Sequence, residues 1–316
     1  MAVARFRDQL ATRLNDDWSR ARPEVRHEFV VAVLAIYDKF HQASLADRHF
    51  AQAIATGGPA QHAQRLAELL LADHLWKNGF HLSSASEGPD FHATKNGESV
   101  WIELVTPEPN GIDPTRLADN ATGVWSFPHK EIALRYTAAL KEKHQKLIGP
   151  PAGKPGYLGR SLVGPTDRYV IAINQHLLQR NFRSLNGISQ IPVACEIAFA
   201  VGPRQLMIQR SSGRVVGSDY SHRPGLIKNP VGALPVSVPA DSFLHDAYKH
   251  VSAIYALDLM EEVLVTLPPG TYLASEHLSA VVYNPNATNP LPTRPLPAQT
   301  HWGATMRPSS IEVQQI

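Results

Sequence analysis

The chain has 316 residues, 43% of them hydrophobic, with a formal net charge of +2 and one cysteine. A chain of this length can bury a sizeable core, as one elaborated domain or two smaller ones. The single cysteine excludes an intramolecular disulfide framework, and the longest apolar run, 29–37, is well short of the roughly 20 residues that span a membrane. With no secretory signal pattern in the first residues, we expect a soluble cytoplasmic protein.

The charge is unevenly distributed along the chain. Residues 130–230 contain 15 Lys and Arg against 5 Asp and Glu, whereas the remainder contains 15 against 23. Because phosphate contacts supply most non-specific affinity for nucleic acids, a concentrated basic region favours a nucleic-acid partner. A solvated basic surface, balanced by acidic segments elsewhere in the fold, explains the same counts.

Helical patterns dominate the N-terminal part. The predicted helices are 6–14, 23–40, 43–55 and 60–78, with Gly57-Gly58 ending the third and Gly79 ending the fourth. Predicted strands follow at 80–84, 90–94 and 99–106. The Lys95-Asn96-Gly97 turn between the last two predicts a β-hairpin.

The rest of the chain mixes both kinds of element. A helix is predicted at 129–148, followed by strands at 168–174 and 194–201. Beyond these we predict a strand at 205–209, a helix at 242–250, strands at 251–257 and 278–283, and an extended proline-rich surface segment at 284–298. The order indicates an α/β core, a mixed β-sheet flanked by helices, in residues 58–202. Residues 1–57 form an N-terminal helical extension, and 203–316 form an α+β elaboration.

Two carboxylates are expected to meet in the hairpin. Asp90 follows Pro89 at the start of one strand, and Glu103 lies among large apolar residues of the next. Neighbouring carboxylates repel unless a cation lies between them, and hard oxygen ligands suit Mg²⁺ or Mn²⁺. The alternatives are a turn-forming Asp after Pro and a strand Glu paired with a nearby Arg or Lys.

Two further charged residues lie on apolar faces of predicted helices. Glu68 is surrounded by leucines on nearly all sides of its helix, so its carboxylate needs a partner or a metal ion. The alternative is an ion pair with Arg65 or a position at the helix edge. Lys143 lies in the middle of an apolar stripe of the 129–148 helix, where it would need an anionic partner. Its stem could instead pack while the ammonium group reaches solvent.

These residues resemble the motif of the PD-(D/E)xK, or restriction-endonuclease-like, nuclease superfamily. The resemblance covers about residues 60–175: a helix with an inward Glu68, Pro89-Asp90 leading a strand, Glu103 in the next strand, and then a basic helix. It implies a central mixed sheet flanked by helices, with a metal ion held by Asp90, Glu103 and the adjacent main-chain carbonyl. Glu68 would hold a second ion or a metal-bound water.

The sequence departs from the family at the motif lysine. The family's lysine would fall two positions after Glu103, where this chain has Val105. In some members of the superfamily a catalytic side chain has migrated to the following helix, and an inward Lys143 fits such a migration. The implied activity is Mg²⁺-dependent endonucleolytic hydrolysis, with DNA as the expected substrate.

The basic helix supplies the expected contacts to the nucleic-acid backbone. They are Arg135, Lys141 and Lys146, with Arg180 and Arg183 as further candidates. Cutting both strands of a duplex would favour a homodimer. The alternative to an enzyme is an inactive nuclease-like fold that binds nucleic acid or protein, which Val105 and the modest total charge favour.

Other chemistries lack their motifs. No HExxH or Cys/His cluster supports zinc, and no GxSxG supports a serine hydrolase. GxGxxG and GxxxxGK[ST] are also absent, so neither a dinucleotide fold nor a P-loop is indicated. Cys195 lies in an apolar run and is expected to be a core residue rather than a nucleophile.

Overall fold

The structure is a computed structural model that describes residues 2–85, 87–117, 126–178, 184–230, 232–266, 276–307 and 310–316. The chain divides into two compact units. Unit 1 comprises Met1–Thr106 and Leu259–His277, and unit 2 comprises Pro107–Asp258 and Leu278–Ile316. Both units contain helices and strands, so the mixed α/β composition predicted from the sequence is confirmed. In the described part of the chain, no helix has the length and apolarity needed to cross a membrane.

Unit 1 places helices before an antiparallel meander of strands. Its helices are α1 (Ala2–Asp17), α2 (Pro23–Gln42), α3 (Arg48–Thr56) and α4 (Pro59–Lys77), and its strands are β1 (His81–Ser83), β2 (Phe91–Lys95) and β3 (Glu98–Val105). β2 pairs antiparallel with both β1 and β3. At the tip of the β2–β3 hairpin, Asn96 and Gly97 have φ angles of 52° and 80°. A two-residue type I′ turn requires positive φ at both positions, which explains the Asn-Gly signal.

Aromatic side chains hold the elements of unit 1 together. Phe40 at the end of α2 stacks on Phe50 of α3, with ring centroids 4.8 Å apart, and meets Phe91 of β2 edge-on at 6.1 Å. Trp18 stacks on Phe29 at 4.1 Å. Such pairs add about 0.5–1.5 kcal/mol each to the free energy gained from area burial. The helices therefore share a core with the hairpin.

Unit 2 contains the remaining α-helices and strands. The α-helices are α5 (His129–Ile148) and α6 (Val193–Phe199), and the strands are β4 (Tyr169–Asn174), β5 (Val201–Ile208), β6 (Val215–His222), β7 (Gly225–Lys228), β8 (Val236–Pro239), β9 (Ala253–Asp258), β10 (Leu278–Tyr283), β11 (Thr300–Arg307) and β12 (Ser310–Gln315). β4 pairs parallel with β9, β9 antiparallel with β10, β10 parallel with β11, and β11 antiparallel with β12. β5 pairs with β6, and β7 with β8, in separate antiparallel ribbons.

Burial of β4 and β9 marks the core of unit 2. Every residue of both strands is buried, as expected for strands covered on both faces. α5 packs on β4, and the Tyr136 hydroxyl donates a hydrogen bond of 2.8 Å to Gln175 Oε1 just after that strand. The predicted bounds of α5 and β10 coincide with the observed ones.

Several predicted elements need correction. The strand predicted at 194–201 is wrong, because the segment forms α6, which Pro192 precedes and a left-handed Ala200 (φ 58°) ends. A run of buried apolar residues fits either structure, since periodicity alone does not separate them. The helix predicted at 242–250 is a pair of short 3₁₀ helices, Ser242–Leu244 and Asp246–Tyr248. The 284–298 segment, predicted to be extended and on the surface, contains turns and bends but no helix or strand, and its residues Leu291 and Leu296 are buried.

Candidate functional site

The β2–β3 hairpin brings Asp90 and Glu103 to facing positions. Phe91 pairs with Ile102, and continuing this register by one residue places Asp90 opposite Glu103. Directly opposed residues of an antiparallel pair project to the same face of the sheet. Asp90 Oδ2 accepts a hydrogen bond of 2.7 Å from the main-chain N–H of Leu104, and Glu103 is only 1% exposed. The register therefore gives the two residues facing positions, and the convergence of their carboxylate groups stays a prediction.

Glu68 of α4 is the third buried carboxylate of unit 1. Both of its oxygens accept hydrogen bonds from Arg65 Nη1, at 2.7 and 2.9 Å, and Oε1 also accepts one of 3.0 Å from Gln64 Nε2. Burial is the largest influence on the pKa of Glu68 and raises it. The contacts with Arg65 and Gln64 lower this pKa, the charge of Glu103 raises it, and the net result lies above the ordinary value. The ion pair with Arg65, one of the two interpretations open at Glu68, is thus present.

Gln64 connects this helix with the end of β3. Besides its bond to Glu68, Nε2 donates to the carbonyl oxygen of Leu104 at 3.3 Å, while Oε1 accepts from the main-chain N–H of Thr106 at 2.7 Å. Gln64 and Glu68 are four residues apart and therefore lie on the same face of α4. The sequence analysis did not identify Gln64, although its position one turn before an inward Glu68 was a usable signal.

Arg65 of α4 is a cation beside the buried carboxylates. Burial lowers the pKa of Arg65, but contacts with Glu68 and the charges of Asp90 and Asp47 raise it, and the net direction is upward. Arg65 therefore stays charged and acts electrostatically on both Glu68 and Asp90. We call Arg65, Glu68, Asp90 and Glu103 the carboxylate cluster.

The chemistry of the cluster suits a divalent cation at one pair of residues. Among the described residues, no group of three or more His, Cys, Asp or Glu is arranged to hold a metal ion. Mg²⁺, however, commonly uses only one or two protein carboxylates and completes its shell with water and substrate oxygens. Asp90 and Glu103 would supply one such pair of carboxylates. Both oxygens of Glu68 accept hydrogen bonds from Arg65.

The position of the missing motif lysine and its proposed replacement lie on different elements. Val105 is at the end of β3 and is buried. Lys143 lies on α5 of unit 2, where it is 7% exposed, and its Nζ is 3.4 Å from Glu142 Oε1. The predicted inward position of Lys143 on its helix is therefore confirmed. Its catalytic role stays a prediction.

Unit 2 also contains a cavity of about 530 Å³ beside α5. Its cationic lining residues are Lys130, Arg135, Lys141 and Lys228. Arg135 and Lys141 were predicted to contact nucleic acid, and here they share one concave surface. Lys146, the third residue of that prediction, is exposed on α5 and does not line the cavity. Arg180 and Arg183 lie outside the described residues.

A polar cluster at the ends of β4 and β9 was not predicted. The Nδ1 atom of His176, just after β4, lies 3.2 Å from Oδ1 of the buried Asp258 at the end of β9. Burial and, to a lesser extent, the charge of Asp258 raise the pKa of Tyr136. The carboxyl ends of adjacent parallel strands are a common location for ligand sites. No local sequence pattern indicates this cluster, because His176 and Asp258 are 82 residues apart in the chain.

Cys195 is confirmed as a core residue. Its side chain is fully buried in α6, and burial, together with the charge of Glu196, raises the pKa of the thiol well above its ordinary value. Because the thiolate is the nucleophilic form, this environment does not suit covalent catalysis.

Comparisons of the chain with models of protein families, with curated proteins and with solved structures found no match.

Proposed function

We propose that the protein is a metal-dependent endonuclease that hydrolyses phosphodiester bonds of DNA. The observation that carries the proposal is the register of the hairpin, which places Asp90 opposite the buried Glu103. The chain order of α4, the hairpin, α5 and β4 also follows the order of the PD-(D/E)xK resemblance. The basic cavity beside α5 supports a polyanionic substrate.

The chain's own residues would perform distinct tasks in this reaction. Asp90 and Glu103 would hold the divalent ion, which when bound would supply Lewis-acid activation and neutralise charge on the phosphate. The Leu104 N–H restrains one oxygen of Asp90 and so fixes the orientation of that carboxylate. The role predicted for Lys143 of unit 2, stabilising negative charge that develops on the phosphate oxygens, stays a prediction.

Glu68 has a positioning role in this proposal rather than a role as metal ligand. Its oxygens accept from Arg65 and Gln64, and Gln64 in turn binds the main chain on both sides of Val105. These contacts fasten α4 to the end of β3, where Glu103 is located. Loss of Glu68 should therefore change the placement of Glu103 more than it changes the charge available to an ion.

A plasmid-nicking assay tests the proposal. Supercoiled DNA is incubated with the protein and Mg²⁺ or Mn²⁺, and the rate of conversion to the open-circular form is compared between the wild type and Glu103→Ala. We expect the variant to lose at least about 100-fold in rate, since even outer-shell partners of metal sites contribute about 10- to 100-fold. Glu98→Ala is the matched control, because Glu98 is an exposed residue of the same strand. Nicking that persists in Glu103→Ala at the wild-type rate would contradict the proposal.

A second candidate function is favoured by Val105. A nuclease-like fold without a motif lysine would act as a binding module for nucleic acid or protein. This candidate predicts binding that needs no metal, with strong salt dependence if the ligand is nucleic acid, and no hydrolysis under any divalent ion. Nicking that is lost in Asp90→Asn would exclude it.

A further inference from the structure

The cavity of unit 2 is lined by residues from elements far apart in the sequence. Lys130, Leu134, Ala138 and Lys141 follow one another along a single face of α5. The β7–β8 ribbon lines the cavity with Lys228 and Asn229, at the end of β7, and with Val238 of β8. A loop contributes Asn110. The arrangement depends on tertiary packing of α5 against the β7–β8 ribbon.

The charges around this cavity are unbalanced. Lys130, Arg135, Lys141 and Lys228 line it together with Glu131, whose Oε1 lies 3.4 Å from Arg116 Nη1 outside the lining. The Nε atom of Arg135 is buried and has no hydrogen-bond partner in the described structure. Cations that share one cavity repel each other. An anion bound among them would attract each cation and offset this repulsion.

The cavity also offers an apolar surface. Leu134, Ala138, Pro230 and Val238 lie among the cationic residues, and the volume of about 530 Å³ is within the range of about 300–1,000 Å³ typical of small-molecule pockets. A bare inorganic anion would leave these apolar groups uncovered. The combination fits a phosphate that is attached to an organic body.

We propose that the cavity binds one nucleotide, with its phosphate held by Lys130, Arg135, Lys141 and Lys228 and its sugar and base against the apolar residues. The choice of a nucleotide as the phosphorylated ligand rests on the proposed function. The amides of Asn110 and Asn229 offer donors and acceptors at the cavity for polar groups of the base or sugar. The nucleotide has two possible sources, a nucleic-acid strand or the free monophosphate.

The binding test uses a short fluorescein-labelled DNA single strand in EDTA, with fluorescence anisotropy as the readout. Lys228→Glu should weaken binding about tenfold and reduce the salt slope by about one unit, as expected for a lost phosphate contact. Lys154→Glu makes the same charge change at an exposed lysine of unit 2 outside the cavity, and its affinity should stay within about twofold of wild type. Equal weakening by both substitutions would overturn the proposal.

A substitution without a charge change provides a second test. Val238→Trp should fill part of the cavity and weaken strand binding, while circular dichroism and thermal unfolding report whether the fold is intact. Wild-type affinity in a folded Val238→Trp variant would show that the cavity is not used. Competition then separates the sources: displacement by a nucleoside monophosphate identifies the free nucleotide as sufficient, and failure to displace identifies the strand. Equally effective displacement by inorganic phosphate would overturn recognition of a nucleotide.

The nicking assay distinguishes this inference from the proposed function. If Lys228→Glu nicks DNA with an unchanged KM, the cavity is not a substrate subsite, and the carboxylate cluster remains the candidate for catalysis. If the wild type never nicks DNA but binds the strand in a Lys228-dependent way, the nuclease function fails and the nucleotide pocket stands.

Discussion

Arg65 stabilises a carboxylate that would otherwise be costly to bury. Glu68 is only 4% exposed and accepts two hydrogen bonds from Arg65. In Arg65→Met, the Glu68 carboxylate would lose its ion pair while remaining buried. We expect the free energy of unfolding at neutral pH to fall by about 3 kcal/mol, measured by urea denaturation. Arg20→Met, at an exposed position, should change it by less than about 0.5 kcal/mol, and equal effects of the two substitutions would contradict this account.

The raised pKa of Glu68 also makes stability depend on pH. Burial raises this pKa in the folded protein, so between the unfolded value of about 4.3 and the folded value the native state binds more protons than the unfolded state. The protonated Glu68 side chain therefore contributes to the free energy of unfolding in full at a pH below the unfolded pKa. This contribution is lost as the pH rises through the folded pKa.

The Glu68→Gln variant tests this pH dependence. Because glutamine does not titrate, the free energy of unfolding should decline less with rising pH in Glu68→Gln than in the wild type. Urea denaturation from mildly acidic to neutral pH measures the difference, and Glu98→Gln on β3 provides the exposed control. The same pH slope in the wild type and in Glu68→Gln would show that Glu68 does not titrate differently on folding.

At the scale of elements, the β5–β6 ribbon contrasts with the helix that precedes it. From Pro203 onward every residue of β5 is exposed, including Leu206, and Val216 of β6 is 64% exposed. Phe199, at the end of α6, is 1% exposed. A two-stranded ribbon is marginally stable by itself and depends on packing with other elements.

This contrast predicts very different effects of substitution. Leu206→Ser and Val216→Ser should each change the free energy of unfolding by less than about 0.5 kcal/mol, whereas Phe199→Ala should lower it by about 3–5 kcal/mol. Denaturant unfolding of the three variants measures the difference. A loss of more than about 1 kcal/mol in either ribbon variant would mean that these apolar side chains are covered in solution.

The elements that the sequence predicted best have local signals. The Asn96-Gly97 turn determines the register of the hairpin, so the facing positions of Asp90 and Glu103 could be predicted without the structure. α5 has a regular apolar stripe. By contrast, α6 is buried on all sides, and a fully buried segment has no periodicity that separates a helix from a strand.

At the scale of the whole molecule, the unpredicted features depend on contacts distant in sequence. Unit 1 includes Leu259–His277, more than 150 residues after Thr106, and no local pattern indicates that return. Lys228 joins Arg135 and Lys141 at one cavity only because the β7–β8 ribbon packs beside α5. Gln64 acquired its role in the same way, since its contacts with Leu104 and Thr106 depend on tertiary packing of α4 against the end of β3.

The central claim is that Asp90 and Glu103 together bind a divalent ion, and a crystal soaked in Mn²⁺ tests it most directly through anomalous scattering at the manganese edge. The account predicts an anomalous peak roughly 2.1 Å from a carboxylate oxygen of each residue, and no such peak in crystals of Glu103→Gln. A well-diffracting wild-type crystal with saturating Mn²⁺ and no peak at this pair, or with the ion bound elsewhere, would contradict it.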